Sequence, residues 1–279
     1  MRNARSQFSL KPRSGISLPD HLRVKFHESS GAAVAYTGKL NGTAYSGSVT
    51  FNAAPTWGNG GGKAPTTNTT VYGLATKAAH ADLYNTLMPP SGGGLIFLFS
   101  YYQTAFTNNS GSPSTLLGWG NVFSGGDGYE LSFAQGANNN IALYFRGVGA
   151  GSQSSAIKAD NNLNVWKTVQ MYLDCRAGSL AAYTAVDGNW AAAGTGSSTD
   201  SFSHGDPANY TAACIFTSVA TGPARGTEYM NRGATDDKII SDLLVIRDSG
   251  CALLSSMSTI AAEHALYRRE LLRSLDTAS

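Results

Sequence analysis

Residues 165–188 read VWKTVQMYLDCRAGSLAAYTAVDG, and this stretch decides the fold class. Hydrophobic and polar side chains alternate on both sides of a glycine-containing turn at 176–178, and a second turn dipeptide follows at 187–188. Alternation over about four to eight residues is typical of a half-buried strand, and two such runs joined by a short turn indicate a β-hairpin. We therefore predict antiparallel strands over 165–174 and 180–186.

The same pattern of short strands and Gly/Asn/Asp turns recurs on both sides of this hairpin. The strongest strand signal is Leu95–Tyr102, a nearly continuous apolar run that predicts a strand buried on both faces. Further predicted strands are 22–26, 49–51, 115–119, 129–133, 141–145, 213–219 and 238–247. Many short strands at this spacing indicate an all-β, two-sheet antiparallel jelly-roll sandwich.

Composition agrees with this class and excludes several others. Charged residues are 14% of the 279 residues, and glycines number 32, so a helical bundle, a coiled-coil rod and a disordered chain are all disfavoured. The net charge of +2 gives no electrostatic footprint for nucleic acid. No run reaches the roughly 18 apolar residues that a membrane span needs.

The two ends differ from the middle, and we divide the chain into 1–21, 22–249 and 250–279. The first part is a polar, proline-containing extended arm, and the second is the sandwich. The third has an apolar side chain every three to four residues, which predicts an amphipathic helix. That stripe has to be buried on the chain's own sandwich or on a partner. The assembly candidates are Leu253, Met257, Ile260, Tyr267 and Leu271, and we hypothesise a homo-oligomer, with a trimer favoured.

Several motifs now resemble one family in order and spacing. They are LRVKFHESSG at 22–31, NGT at 41–43, PTW at 55–57, WKTV at 166–169 with DG at 187–188, and ISDLLV at 240–245. Together they resemble the concanavalin A-like lectin/glucanase superfamily, in particular laminin G/pentraxin-type domains, over residues 22–247. The resemblance implies a sandwich of the lectin type. It also implies that carbohydrate binding, glycoside hydrolysis and calcium binding have to be considered.

Glycoside hydrolysis requires a pair of carboxylates, which the glucanase branch carries as E-x-D-x-E on one strand face. The chain has five Glu residues, and none is two positions from another acid. Asp236 and Asp237 are adjacent, so on a strand they would point to opposite faces. No other catalytic motif is present, and we predict that the protein is not an enzyme.

Calcium needs about six to eight oxygen ligands, usually including several carboxylates. His27 and Tyr36 stand where the family often has Asp, which argues against a family-type site. We expect no cofactor. Asp127, Asp236 and Asp237 are interpreted as ordinary acidic residues of surface loops, and a calcium site at Asp127, or at Asp236 and Asp237, is the alternative.

Glycan binding by this fold commonly uses an exposed aromatic ring on which a sugar stacks. Trp57 and Trp166 are expected to fill the core, whereas Trp119, between two glycines, and Trp190, after a turn, are the candidate stacking residues.

The resemblance, the arm and the helix together favour a structural or attachment component of a bacteriophage particle. Laminin G-like domains occur in phage tail and head proteins, and a tail or baseplate protein touching host-surface glycans is the favoured version. Three cysteines without metal or disulfide spacing, and no signal peptide, predict assembly in the host cytoplasm into the virion, with other virion proteins as partners. A capsid decoration protein and a bacterial carbohydrate-binding lectin module are the alternatives.

Overall fold

The computed structural model describes residues 19–26, 30–51, 54, 56–58, 61–63, 73–103, 114–120, 122, 127–134, 140–148, 154–160, 162–203, 212–215, 217–218, 228–229 and 239–276. The arm predicted at 1–21 therefore lies almost entirely outside the described residues, and so do the calcium candidates Asp236 and Asp237.

The described chain is mostly β-strand. The strands are β1 (His21–Val24), β2 (Ala33–Leu40), β3 (Thr43–Thr50), β4 (Thr56–Gly58), β5 (Gly61–Lys63), β6 (Gly73–Thr76), β7 (Gly94–Tyr102), β8 (Ser114–Gly120), β9 (Gly128–Ala134), β10 (Asn140–Arg146), β11 (Ser154–Ala159), β12 (Lys167–Asp174), β13 (Leu180–Val186), β14 (Gly194–Ser198), β15 (Ala212–Ile215), β16 (Thr217–Ser218), β17 (Glu228–Tyr229) and β18 (Ile239–Asp248). The helices are α1 (Ala81–Leu87) and α2 (Met257–Asp276), and short 3-10 turns cover Trp190–Ala192, Ser249–Cys251 and Leu254–Ser256.

Two antiparallel sheets form the sandwich. The larger has the order β14-β13-β12-β7-β18-β1-β2-β3, with β5 beside β18 and β4 beside β5. The smaller has the order β11-β10-β9-β8-β15-β6, and β16 pairs with β17 separately. The predicted hairpin is confirmed: β12 pairs with β13 from Val169 opposite Val186 to Asp174 opposite Ala181. The all-β sandwich with a C-terminal helix is therefore confirmed as well.

The hydrophobic core lies between the sheets, and β7 contributes to it with one face only. Leu95, Phe97, Phe99 and Tyr101 point into this core with the facing side chains of the smaller sheet. Ile96 and Leu98 alternate with them and point to the opposite, outer face of the larger sheet. Both sets are buried, as the continuous apolar run predicts.

Helix α2 covers this outer face. Met257 and Ile260 are buried in a second hydrophobic cluster with Ile96, Leu98 and Tyr172, and Leu253 packs against its margin. This corrects the assignment of Met257 and Ile260 to an assembly surface, because their side chains fill the chain's own interior. The side chains of Tyr267 and Leu271 lie outside the described part of the helix.

Next to the apolar contacts, α2 rests on polar groups. His264 Nδ1 lies 2.9 Å from Gln170 Nε2, which also donates to Thr168 Oγ1 at 2.9 Å. Gln170 Oε1 in turn accepts from the Gly188 amide at 3.1 Å. The Arg268 guanidinium lies 4.1 Å from the centre of the Trp166 ring, a cation–π arrangement. Directional contacts of this kind fix how the helix is rotated on the sheet.

The sandwich closes tightly where β14 meets β11. A Cβ added at Gly194 or Gly196 would collide with the backbone of Ile157 or Ser155 in the facing strand. Ser154 Oγ donates across the same junction to the Ser197 carbonyl at 3.2 Å. Only glycine allows two backbones to approach this closely.

We expect stability to fall in acid because of His264. Burial, with a smaller effect of Arg268, lowers the pKa of His264 to about 4 from 6.5. The unfolded chain takes up this proton first, so stability decreases as the pH falls from 6.5 to 4, by about 2–3 kcal/mol in total. Urea unfolding of wild type and His264→Gln over this range measures it, and the variant should show a shallower decline. His21→Gln, which replaces a half-buried histidine of β1, is the control, and equal slopes for all three proteins would contradict the expectation.

We expect Gly194→Ala to destabilise the protein by about 1–3 kcal/mol, because the methyl group has no space against the β11 backbone. Thermal or urea unfolding measures the change. Thr195→Ala, at an exposed position of the same strand, should stay within about 0.5 kcal/mol of wild type. Similar effects of the two variants would mean that the β11–β14 junction is not tightly packed.

Candidate functional site

A cavity of about 530 Å³ lies at one corner of the larger sheet, where β1 and β7 begin and β18 ends. Its lining comes from three separate segments of the chain: Pro19, Asp20, Pro90, Ser91, Gly93, Arg247, Asp248, Ser249, Ala252 and Leu253. Volumes of about 300–1,000 Å³ are usual for small-molecule sites.

Arg247 is held at the inner side of this cavity by the end of α1. Its Nη1 donates to the carbonyls of Asn85 at 2.7 Å, Thr86 at 3.1 Å and Met88 at 2.7 Å. The last carbonyls of a helix lack partners within the helix, and a cation there also interacts favourably with the helix dipole. Burial lowers the pKa of Arg247, but an arginine remains charged at neutral pH. The cavity therefore contains a fixed positive group.

Two aspartates, Asp20 and Asp248, also line the cavity, although Asp248 is only 2% exposed. Asp20 accepts from the Asn41 amide at 2.9 Å and from the Gly42 amide at 3.4 Å, which ties the β2–β3 turn to the start of β1. Asp248 accepts from Tyr172 Oη at 2.7 Å and from the Leu253 amide at 3.0 Å. Both carboxylates are thus oriented by the protein before any ligand arrives.

Tyr172 links the cavity to the cluster beneath α2. Burial is the main cause that raises the pKa of Tyr172, and hydrogen bonding to Cys251 and Asp248 adds to it. The phenol therefore remains a donor to Asp248 throughout the ordinary pH range.

The cavity combines hydrogen-bonding groups with apolar walls. Carboxylate and serine oxygens accept hydrogen bonds, the guanidinium donates them, and proline and leucine side chains form the walls. With two acidic groups and one basic group, the charged side chains of the lining carry a net negative charge. This chemistry suits an uncharged polyhydroxyl compound better than an anion.

The structure places the two candidate stacking tryptophans differently. Trp119 is 1% exposed and packs 6.1 Å from the Tyr84 ring, so it offers no face to a ligand in solvent, and its assignment as a stacking residue is corrected. Trp190 is half-buried and lies 5.8 Å from the Tyr183 ring, beside the cluster covered by α2. Neither tryptophan lines the cavity.

Asp127, the described calcium candidate, lies in the interior. It is 5% exposed and accepts hydrogen bonds from the Ser203 amide at 2.9 Å and from Ser203 Oγ at 2.7 Å. These hydrogen bonds connect the segment before β9 to the segment after β14. Within the described ranges, no three His, Cys, Asp or Glu side chains are grouped as a metal site would require.

Cys175 and Cys251 carry free thiols. Burial raises the pKa of both, and the Cys251 thiol donates to Asp174 Oδ1 at 3.4 Å. Of the helices in the described part of the chain, none combines the length and apolarity needed to cross a bilayer.

No protein-family description and no curated protein matches this sequence. Solved structures similar to it include the botulinum neurotoxin serotype D binding domain, with a TM-score of 0.49, 12% identity, and coverage of 83% of this chain and 49% of that one. The Ruminococcus gnavus IT-sialidase CBM40 has a TM-score of 0.42, 11% identity, and coverage of 70% and 95%. A second CBM40 structure, bound to alpha2,3 sialyllactose, has a TM-score of 0.41 and 12% identity over the same shares of the two chains. This chain spans about half the length of the neurotoxin chain. The fold assignment therefore rests on the strand pairing described above.

We expect Arg247→Met to destabilise the protein by about 1.5–3 kcal/mol, since the carbonyls of Asn85, Thr86 and Met88 at the end of α1 lose a charged donor. Arg247→Lys should recover part of the loss, because one ammonium group can donate to some of these carbonyls. Unfolding midpoints of the two variants and wild type provide the measurement. A methionine variant as stable as wild type would show that α1 does not depend on this side chain.

Proposed function

We propose that the chain is a non-enzymatic carbohydrate-binding module whose cavity accepts an uncharged sugar residue of a glycan. The observation that carries the proposal is the grouping of Asp20, Arg247 and Asp248 in one cavity with apolar walls. A sugar presents hydroxyl groups that donate and accept, separated by apolar C–H surfaces, and the cavity offers the complement of both.

Preorganisation supports this assignment. The guanidinium is fixed by α1, and Asp248 by Tyr172 and the Leu253 amide. A ligand then loses little affinity to the ordering of protein side chains. An uncharged sugar also avoids the repulsion that an acidic ligand would meet from the two carboxylates.

A binding role is favoured over hydrolysis by what the carboxylates do. Asp20 and Asp248 serve as acceptors for main-chain amides that shape the turns around the cavity. The sequence also lacks the E-x-D-x-E motif of the glucanase branch. Both observations fit a site that holds a sugar without cleaving it.

A finer version of the proposal makes the module an attachment component of a bacteriophage tail or baseplate, with capsid decoration as the alternative. Its support is the resemblance to laminin G-like domains over residues 22–247 and their family-level association with phage particles. This placement, the location in the virion and the trimer stay predictions from the sequence. Mass spectrometry of purified phage particles tests whether the chain is part of the virion. Light scattering of the purified chain tests whether it forms a trimer.

The glycan proposal is tested with Ala252→Phe, which adds a ring to an exposed residue of the cavity lining. On an array that includes neutral and acidic glycans, wild type should bind neutral ones, and calorimetry should show at least an about tenfold loss for the variant. Ala177→Phe, at an exposed turn outside the cavity lining, is the matched control and should bind as wild type does.

Three results would contradict the proposal. The first is a wild-type protein that binds no glycan, and the second is one that binds acidic glycans alone. The third is binding that survives Ala252→Phe but is lost in Trp190→Ala, which would move the sugar site to the tryptophan chosen from the sequence.

A further inference from the structure

The two edges of the larger sheet are protected to different degrees. The β14 edge is short and closes onto β11, and Lys158 Nζ also reaches the nearby Ala192 carbonyl at 2.5 Å. The opposite edge is β3, which has eight residues. Among the described residues, β3 has a paired strand on one side only, namely β2.

In its own sequence and pairing, β3 lacks the charged residues, prolines and bulges that usually keep sheet edges apart. Its sequence, TAYSGSVT, has no charged residue and no proline, and its pairing with β2 runs without a bulge from Thr50 opposite Ala33 to Thr43 opposite Leu40. Only Val49 is buried, and Tyr45 is half-buried. Natural sheets block such edges with lysine, proline, bulges or a covering segment, since a free edge is a template for another strand.

The turn before β3 decides which of its backbone groups face outward. Asn41 and Gly42, with φ of 50° and 81°, form a two-residue hairpin loop closed by Leu40 and Thr43. The pair next to such a loop is hydrogen-bonded, and the direction alternates from there. The amides and carbonyls of Ala44, Ser46, Ser48 and Thr50 therefore point away from β2.

We propose that β3 is a dimerisation edge, at which two copies of the chain pair antiparallel about a two-fold axis through Gly47. This register puts Ser46 opposite the partner's Ser48 and Ala44 opposite the partner's Thr50. Every outward-facing amide and carbonyl of 44–50 then has a partner, which gives about eight hydrogen bonds and one sheet continuous through both copies.

Side chains fit this register on both faces. The backbone of Tyr45 comes opposite that of the partner's Val49, and the Tyr45 ring lies back over Gly38 of its own chain, where its hydroxyl donates to Thr86 Oγ1 at 2.8 Å. At the axis Gly47 faces the partner's Gly47, and the space over each glycine is occupied by the Tyr36 ring of its own chain. The exposed face contributes only alanine, serine and threonine.

A second copy fits the edge better than an unrelated strand. An antiparallel two-fold contact brings a strand against itself, so a charged strand would repel its own copy, and β3 has no charge. The edge is distinct from the cavity, and the inference does not depend on glycan binding.

Sedimentation equilibrium of the full chain tests the proposal: wild type should have twice the 29.2 kDa chain mass, not the three times that the trimer expected from the sequence would give. Ser46→Lys with Ser48→Lys places like charges opposite each other and should weaken the dimer at least about tenfold. The control, Thr195→Lys with Ser197→Lys, adds the same charge at exposed positions of β14 and should leave the mass unchanged. Circular dichroism checks that each variant is folded.

A charge swap tests the register itself. Ser46→Lys with Ser48→Glu places each lysine opposite a glutamate of the partner and should restore the dimer. The proposal would be overturned if wild type were a monomer. It would also be overturned if the β3 lysines left the oligomer unchanged, or if the β14 lysines weakened the dimer equally. Failure of the charge swap to restore the dimer would overturn the axis at Gly47.

Discussion

The structure depends on one constraint, which is that β7 is apolar on both faces and has to be covered twice. Phe97 and Phe99 require the smaller sheet on one side, and Ile96 and Leu98 require α2 on the other. Burial of an aliphatic or aromatic side chain contributes about 1.5–3 kcal/mol, so neither cover can be removed without a large loss of stability. A two-layer sandwich therefore becomes three layers locally, and the C-terminal segment is part of the domain rather than an appendage to it.

What the sequence predicted well were features encoded locally. The hairpin at 167–186 has alternating side chains and a turn within one short stretch, and β7 and α2 each carry a continuous pattern of their own. The sequence could not tell whether the stripe of α2 covers its own sheet or another chain, because either choice buries the same residues. The two glycines beside Trp119 left its position undecided, but β8 lies between β9 and β15, and the ring turns into the core.

The cavity could not be predicted, because no local spacing encodes it. Its lining comes from residues near 20, 90 and 250, which β1, β7 and β18 bring to one corner through antiparallel pairing. Arg247 looked like an ordinary residue at the end of a strand. Its role follows from the carbonyls at the end of α1, which lie far from it in the sequence. Sites assembled from separate segments need the topology before their residues can be recognised.

The glycine junction between β11 and β14 also bears on how the molecule moves. With two backbones in contact, this side of the sandwich has no side chains that can rearrange to let the sheets slide or separate. The other side, between β3 and β6, has no such junction in the described residues. Local opening should therefore separate the two sheets at the β3–β6 side first, while β11 and β14 stay in contact. Amide hydrogens of β11 and β14 would then exchange with solvent more slowly than those of β6.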